Sequence, residues 1–333
     1  MTAQRWLPLF GVWLLYGSFG LIATSLAPVA SLVIHDLAIS HSEMGLAMGA
    51  WQLIYIAAAV PAGVFLDKIG ARKALTTGGL LIGFSAIARA FAIDAQTLVI
   101  AVMLFGLGGP IVSAGAPKVV MANFKGTDRG LAMGIYMTGP AIGSVISLTL
   151  TNSLLLPLVD YSWRNVLMIW GIFAVCAAGV WFVLASKNQA TKQIQNTGQP
   201  QVRVIKSLLN KPTILIVLGI SVCVFLFNHA LNNWLPEILK SHGMDATEAG
   251  YWAAIPTIIG IAGSLLIPRL ATPERRFHIL IGLAAAALLA SLMLRAEVGN
   301  LLMIGLLLQG LAKSSLMTVL ILTLVELPEI GER

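Results

Sequence analysis

The chain has few charged residues for its length. Only 11% of its 333 residues are Asp, Glu, Lys or Arg, whereas soluble proteins carry roughly 25%. So few charges cannot cover the water-facing surface of a globule of this size, which excludes a soluble domain. Apolar residues make up 58% of the chain, and runs of about 20 apolar residues are long enough to cross a bilayer as helices. We therefore predict an all-α, polytopic membrane protein.

Cysteine and catalytic patterns are also scarce. The two cysteines, Cys176 and Cys223, fall in apolar runs without metal-ligand spacing, which excludes a disulfide framework and a zinc site. The apolar runs contain no His-Glu-x-x-His pattern, no paired carboxylates and no serine elbow with a nearby histidine. We expect neither an enzyme nor a bound cofactor or metal.

The formal net charge is +7, but the basic residues lie in short loops between apolar runs and not on one soluble face. This pattern argues against nucleic acid as a partner. With the N-terminus in the cytoplasm, 15 of the 21 basic residues fall on the cytoplasmic side and only Arg164, Lys240 and Arg295 face outward. Cationic loops stay on the cytoplasmic side, so we predict this orientation in a bacterial inner membrane, with the lipid bilayer as surroundings.

The apolar runs predict ten membrane helices. Their expected ranges are 9–34, 43–66, 74–93, 97–123, 130–158, 164–185, 212–235, 247–268, 277–294 and 301–326. The only long polar stretch, 186–210, is a cytoplasmic linker by composition. It separates an N-terminal half of six helices, 1–185, from a C-terminal half of four, 211–333.

Two short phrases recur in the same order in both halves. Ser42-Glu43-Met44-Gly45 corresponds to Thr247-Glu248-Ala249-Gly250, and Leu104-Phe105-Gly106-Leu107 corresponds to Leu308-Gln309-Gly310-Leu311. Internal repeats of this kind are typical of transporter folds in which two related bundles face one another. We predict two pseudo-repeated halves.

One loop carries a specific motif, and its fixed residues are Gly63, Asp67, Lys68, Gly70, Arg72 and Lys73. The stretch 63–73 resembles the signature loop between the second and third helices of the major facilitator superfamily. The resemblance implies a twelve-helix secondary transporter working by alternating access. It also implies that Asp67 closes the inward gate by bonding the N-terminal end of an eleventh helix, where the helix dipole favours a carboxylate.

Other features separate the chain from branches of that family. Drug/proton antiporters carry an Arg four residues before a Gly in the fourth helix, and here Val102 holds that place before Gly106. The phrase Gly139-Pro140-Ala141-Ile142-Gly143-Ser144 looks like part of the antiporter Gly-Pro motif. We expect Pro140 to bend its helix and Gly139 and Gly143 to allow close helix approach.

Three cations lie within predicted spans. Arg89 stands one turn from a helix end, so we expect its side chain to reach the surface. Lys313 lies near the middle of its helix, about 18 Å from either end, and Lys118 lies about 8 Å from the cytoplasmic end of its helix. All 14 carboxylates fall in loops or at helix ends, so neither lysine has an expected acidic partner. Because a buried charge needs a partner, an anionic small-molecule substrate is our hypothesis.

Polar residues in the spans could complete such a site or merely join helices. They are His229, Asn228, Asn232, Tyr16, Gln52, Tyr55, Tyr136 and Gln309. In the superfamily the fourth and tenth helices line the central cavity, which implies that Lys118 and Lys313 bind substrate.

The phrases 106–110, 115–118 and 134–140 look like the cyanate and nitrate/nitrite branch, which favours cyanate, nitrite or a carboxylate as the anion. Alternatives remain open: an exporter of drug-like molecules or metabolites, or a truncated, non-transporting member, since only ten of twelve helices are expected. We expect a monomer unless a partner replaces the missing helices.

Overall fold

The computed structural model describes residues 5–125, 127–186 and 212–325. All regular secondary structure in these ranges is helical, including a 3₁₀ turn at Ala27–Val29 and a π-helical turn at Thr151–Leu155. The α-helices are α1 Trp6–Thr24, α2 Ala30–Leu37, α3 His41–Ala90, α4 Ala95–Asn123, α5 Thr127–Leu150, α6 Leu156–Leu158, α7 Trp163–Ser186, α8 Pro212–Ser241, α9 Ala246–Leu270, α10 Arg276–Met293 and α11 Asn300–Val325. The all-helical prediction is confirmed.

Helix α3 is too long to be one straight span. Its 50 residues would extend about 75 Å, more than twice the roughly 30 Å of a hydrocarbon core. Gly70 interrupts it with φ 79° and ψ 157°, a conformation that is essentially restricted to glycine. The two arms on either side of Gly70 correspond to the predicted helices 43–66 and 74–93.

Nine helices in the described ranges are long and apolar enough to cross a membrane, α3 counting as one of them. Many of their large apolar side chains are exposed, including Leu53, Ile100, Ile216 and Leu288. A soluble protein would bury such residues, whereas lipid solvates them. The chain is a multi-pass membrane protein; its orientation stays a prediction.

The first predicted helix, 9–34, differs in detail from the structure. The α-helix ends at Thr24, a 3₁₀ turn follows at Ala27–Val29, and α2 then begins at Ala30. Pro28 lies within this turn. Because proline has no backbone N–H, it cannot donate the hydrogen bond that a continuous helix needs there.

The chain divides into two compact units, Met1–Thr197 and Gly198–Arg333. The division falls within the predicted linker 186–210, nearly all of which lies outside the described residues. The boundaries of the two predicted halves, with six and four helices, stay a prediction.

Helix packing in the first unit depends on small residues. Helix α3 packs along α4 and α7, and α1 packs along α5. At Gly106 of α4, an added Cβ would overlap the backbone carbonyl of Trp51 and lie 2.8 Å from Cβ of Ile54. Only glycine allows α3 and α4 this approach.

The second unit contains a matching contact. An added Cβ on Gly310 of α11 would lie 2.5 Å from the carbonyl oxygen of Pro256 in α9. Gly106 and Gly310 are the glycines of the repeated phrase noted above, so the same packing contact occurs in both units. The core beside it is formed on α11 by Ala312, Leu316 and Val319.

Candidate functional site

The most distinctive polar contact of the second unit joins α8 to α11. The Lys313 ammonium donates a 2.7 Å hydrogen bond to Oδ1 of Asn232. Among the described residues of this unit, no carboxylate lies within 4.0 Å of the ammonium. Glu326, Glu329 and Glu332 lie outside the described residues, so the absence of an acidic partner for Lys313 stays a prediction.

Further polar groups flank this contact on the same two helices. Asn228 lies one turn before Asn232, and Gln309 lies one turn before Lys313, so each pair shares a helix face. Gln309 is 1% exposed, and its Oε1 has no hydrogen-bond partner within the described ranges. The same is true of Oδ1 of Asn228. Buried polar atoms without partners are uncommon and require an explanation.

His229 lies next to this group along α8. Its ring packs against Phe225 with the ring centroids 4.1 Å apart. Five predicted ligands, Asn228, His229, Asn232, Gln309 and Lys313, are thus placed on α8 and α11, and the Asn232–Lys313 bond brings these two helices together.

Lys118 does not fit its prediction. Its ammonium forms a 2.7 Å ion pair with Oδ1 of Asp67, and the side chains are 35% and 19% exposed. The expectation that Lys118 lacks an acidic partner is wrong, because Asp67 at the end of one helix arm lies level with the last turns of α4. Lys118 is therefore paired with the signature loop in this structure, and substrate binding by Lys118 stays a prediction.

Another part of the signature loop, at Arg72, is hydrogen-bonded to α7. The Arg72 guanidinium donates through Nε to the carbonyl of Phe182 at 3.0 Å and lies 3.8 Å from the centre of its ring. The indole of Trp181 donates to the carbonyl of Arg72 at 3.1 Å. Lys68 and Lys73 are exposed, and Gly63 lies in the first arm of α3. The bond from Asp67 to an eleventh helix stays a prediction.

The predicted tyrosines lie in an aromatic cluster of the first unit. Tyr16 stacks on Tyr136 with centroids 5.8 Å apart, and Tyr55 shares a 2.6 Å hydrogen bond with Ser113. Phe19, Trp51 and Phe105 pack edge-on or tilted between them, at centroid distances of 5.0 to 6.2 Å. Gln52 follows Trp51 on α3 and is half-buried.

The Gly-Pro phrase of α5 faces α1. An added Cβ on Gly139 would lie 2.8 Å from the carbonyl oxygen of Trp13, and one on Gly143 would overlap the carbonyl of Gly17. The α-helix runs through Pro140 as far as Leu150, and the π-helical turn follows. The close approach is as expected; a bend at Pro140 stays a prediction.

Arg89 differs from its prediction. It is 1% exposed and does not reach the surface. Its guanidinium donates to the carbonyl of Ile22 at 3.0 Å and lies 3.3 Å from the Ser25 hydroxyl, above the ring of Phe105. The end of α1 explains this position, because the last backbone carbonyls of a helix can accept hydrogen bonds from a side chain.

Sequence reasoning also missed two ion pairs of the first unit. Arg5 pairs with Asp128 at 2.7 Å, and Arg164 pairs with Asp36. Both join residues more than 120 positions apart, so no local spacing predicts them. Among the residues that the structure describes, no group of three His, Cys, Asp or Glu could hold a metal ion.

Known proteins resemble this chain at low sequence identity. A probable galactarate/D-glucarate transporter, GudP, of Bacillus subtilis is 22% identical over 80% of this chain and 64% of its own length. A quinolone resistance transporter of Acinetobacter baumannii is 26% identical over 70% of this chain and 59% of its own length. The chain thus spans about three fifths of the length of these relatives. Both relatives are named as transporters, which confirms the expectation that the chain is not an enzyme.

A solved structure shows the same fold. The crystal structure of a bacterial homologue of the human lysosomal transporter Spinster, inward-facing and occupied, superposes with a TM-score of 0.78 at 17% identity. The superposition covers 99% of this chain and 76% of that protein. The family profile of the Major Facilitator Superfamily matches residues 12–329, and the chain therefore belongs to that superfamily.

Proposed function

We propose that the protein is a secondary transporter that carries a small anion by alternating access, with Lys313 as the anion's counter-charge. The observation that carries this proposal is the contact of Lys313 with a neutral amide, Asn232, at 2.7 Å. An amide accepts one of the three ammonium hydrogens but supplies no negative charge.

The energetic argument follows from the position of Lys313. An ammonium at the centre of a bilayer costs at least about 2.5–3.5 kcal/mol on insertion scales. A charge kept there without an acidic neighbour attracts an anionic ligand, because the low dielectric strengthens the interaction. Binding of that ligand would neutralise the lysine charge, and its release would leave the charge without a counter-ion again.

The named substrates of a relative agree with this charge. Galactarate and D-glucarate, which the Bacillus subtilis relative is named for, are sugar-derived carboxylates. The looser resemblance to cyanate and nitrite transporters also points to anions. These similarities support an anionic substrate.

The signature loop supplies the proposed gate. Asp67 pairs with Lys118 and Arg72 is bound to α7, so the loop holds the two arms of α3 against α4 and α7. We propose that Asp67 exchanges partners as the gate opens and closes.

Export of a drug-like molecule is the second candidate. It is favoured by the aromatic cluster around Trp51 and Phe105, since such surfaces bind flat apolar molecules, and by the similarity to a quinolone resistance transporter. Val102, in place of the antiporter Arg, argues against proton-driven export.

Transport assays separate the two candidates. Purified protein in proteoliposomes should take up labelled organic or inorganic anions, and Lys313→Gln should reduce that uptake at least tenfold. Arg295→Gln is the matched control, because Arg295 is exposed in the same unit and its loss changes the net charge equally. Uptake that is unchanged in Lys313→Gln, or uptake restricted to cationic drugs, would contradict the proposal.

A further inference from the structure

The polar groups around Lys313 differ in what they require of a ligand. Lys313 donates one N–H to Asn232, and the other two N–H groups of an ammonium can bind an anion. Asn232 accepts this bond through its amide oxygen, and a carboxamide also carries an NH₂ group that can donate. These donors suit a carboxylate or another anionic group.

Gln309 and Asn228 have the opposite requirement. Their side-chain carbonyl oxygens are buried without partners among the described residues, and each lies one helical turn from a member of the Lys313–Asn232 pair. A buried acceptor that stays unsatisfied costs about as much free energy as a hydrogen bond is worth. A ligand that donates hydrogen bonds would satisfy both oxygens.

A hydroxyl group meets this requirement most generally. It donates and accepts, so it binds a carboxamide whichever way the amide is turned. Nitrate, nitrite and cyanate carry no hydrogen-bond donor at neutral pH, so they would leave both oxygens unsatisfied. A plain fatty acid would do the same.

An amino acid fits less well than a hydroxy acid. Its ammonium would satisfy the two acceptors but would place a second positive charge beside Lys313. No described carboxylate of this unit lies within 4.0 Å of Lys313 to offset it, and like charges repel strongly where water is excluded.

We infer that the Lys313 site binds a hydroxylated carboxylate: the carboxylate on Lys313 and Asn232, and the hydroxyls on Asn228 and Gln309. This inference rests on the proposed function and narrows it to one class of anion. It also assigns Gln309 a role in specificity: it contacts the hydroxyl part of the ligand and leaves the charge to Lys313.

Ligand binding to the purified full chain in detergent tests this assignment. Gluconate and hexanoate are matched probes, because both are six-carbon monocarboxylates and only gluconate carries hydroxyls. Nitrate tests the charge alone, and glucose tests the hydroxyls alone. Dissociation constants follow from the rise of the unfolding temperature with ligand concentration.

Gluconate is expected to bind at least tenfold more tightly than hexanoate, nitrate or glucose. Gln309→Leu and Asn228→Leu should each weaken gluconate about tenfold and leave hexanoate within about threefold, because they remove an acceptor and not the charge. Gln96→Leu, an exposed position in the first unit, is the control and should change neither. Measuring both variants keeps the test decisive if one of them fails to fold.

Two other outcomes have distinct meanings. If hexanoate or nitrate binds as tightly as gluconate and binding still requires Lys313, the anion site stands and the hydroxyl assignment is overturned. If no anion binds, or if Lys313→Gln leaves gluconate binding unchanged, the proposed function is overturned as well.

Discussion

Substituting Gly106 with alanine tests the packing of the first unit most sharply. The new methyl group would overlap the backbone carbonyl of Trp51 and lie 2.8 Å from Cβ of Ile54. Backbone atoms cannot rotate away, so α3 and α4 would have to separate. Gly134→Ala is the matched control, because nothing lies within 4 Å of the added atom.

The two substitutions have opposite expected signs. Replacing glycine within a helix stabilises it by about 1 kcal/mol when the space is free, which applies to Gly134. Forcing a methyl group into a packed interface costs about 1–3 kcal/mol, which applies to Gly106. We therefore expect the two variants to differ in stability by about 2–4 kcal/mol, or on the order of 10 °C in unfolding temperature.

Thermal unfolding of the purified variants in the same detergent measures this difference. Gly310→Ala and Gly282→Ala repeat the comparison in the second unit, where Pro256 provides the obstructing carbonyl and Gly282 has free space. Equal unfolding temperatures for Gly106→Ala and Gly134→Ala would show that the helices do not approach as described.

Three further predictions concern charged side chains. A double-mutant cycle of Asp67→Asn and Lys118→Gln should give a coupling of about 1 kcal/mol in unfolding free energy, because the pair is partly exposed; a coupling near zero would show that the ion pair is absent. Arg89→Lys should lower the unfolding temperature more than Arg89→Met, because a buried ammonium is harder to desolvate than a guanidinium and the lysine side chain is too short to replace the bond to Ile22. A larger loss in Arg89→Met would argue against the buried position. At Asp94, hydrogen bonds from the backbone and hydroxyl of Thr97 hold the carboxyl pKa below its usual value. Its stabilising effect is therefore present above the unfolded pKa of about 3.9 and is lost as pH falls through the lower folded pKa, so Asp94→Asn should reduce the loss of stability on acidification measured by thermal unfolding.

The helices could be predicted from the sequence because they depend on local pattern. Apolar runs of the required length predicted most helix bounds to within a few residues, whereas the linker 186–210 and the division into halves stay a prediction. The break after Thr24 was missed, although Pro28 was visible, because proline is tolerated inside many membrane helices when neighbours satisfy the freed carbonyls.

The side-chain contacts could be predicted only in part. The Asp67–Lys118 pair joins residues 51 positions apart, and Arg89 contacts the break 67 positions before it. Such contacts depend on how helices are arranged and turned, which no periodicity specifies. The need of Lys313 for a partner inside the protein could be predicted more easily, because a lysine in the middle of a span cannot reach water from either end.

The central claim is that Lys313 provides the positive charge that binds the substrate. Equilibrium binding of gluconate to Lys313→Gln and Lys313→Arg, compared with the unchanged protein, tests it most directly. We predict at least a tenfold weakening in Lys313→Gln and substantial recovery in Lys313→Arg, which restores the charge. Equal gluconate affinity in all three proteins would contradict the account.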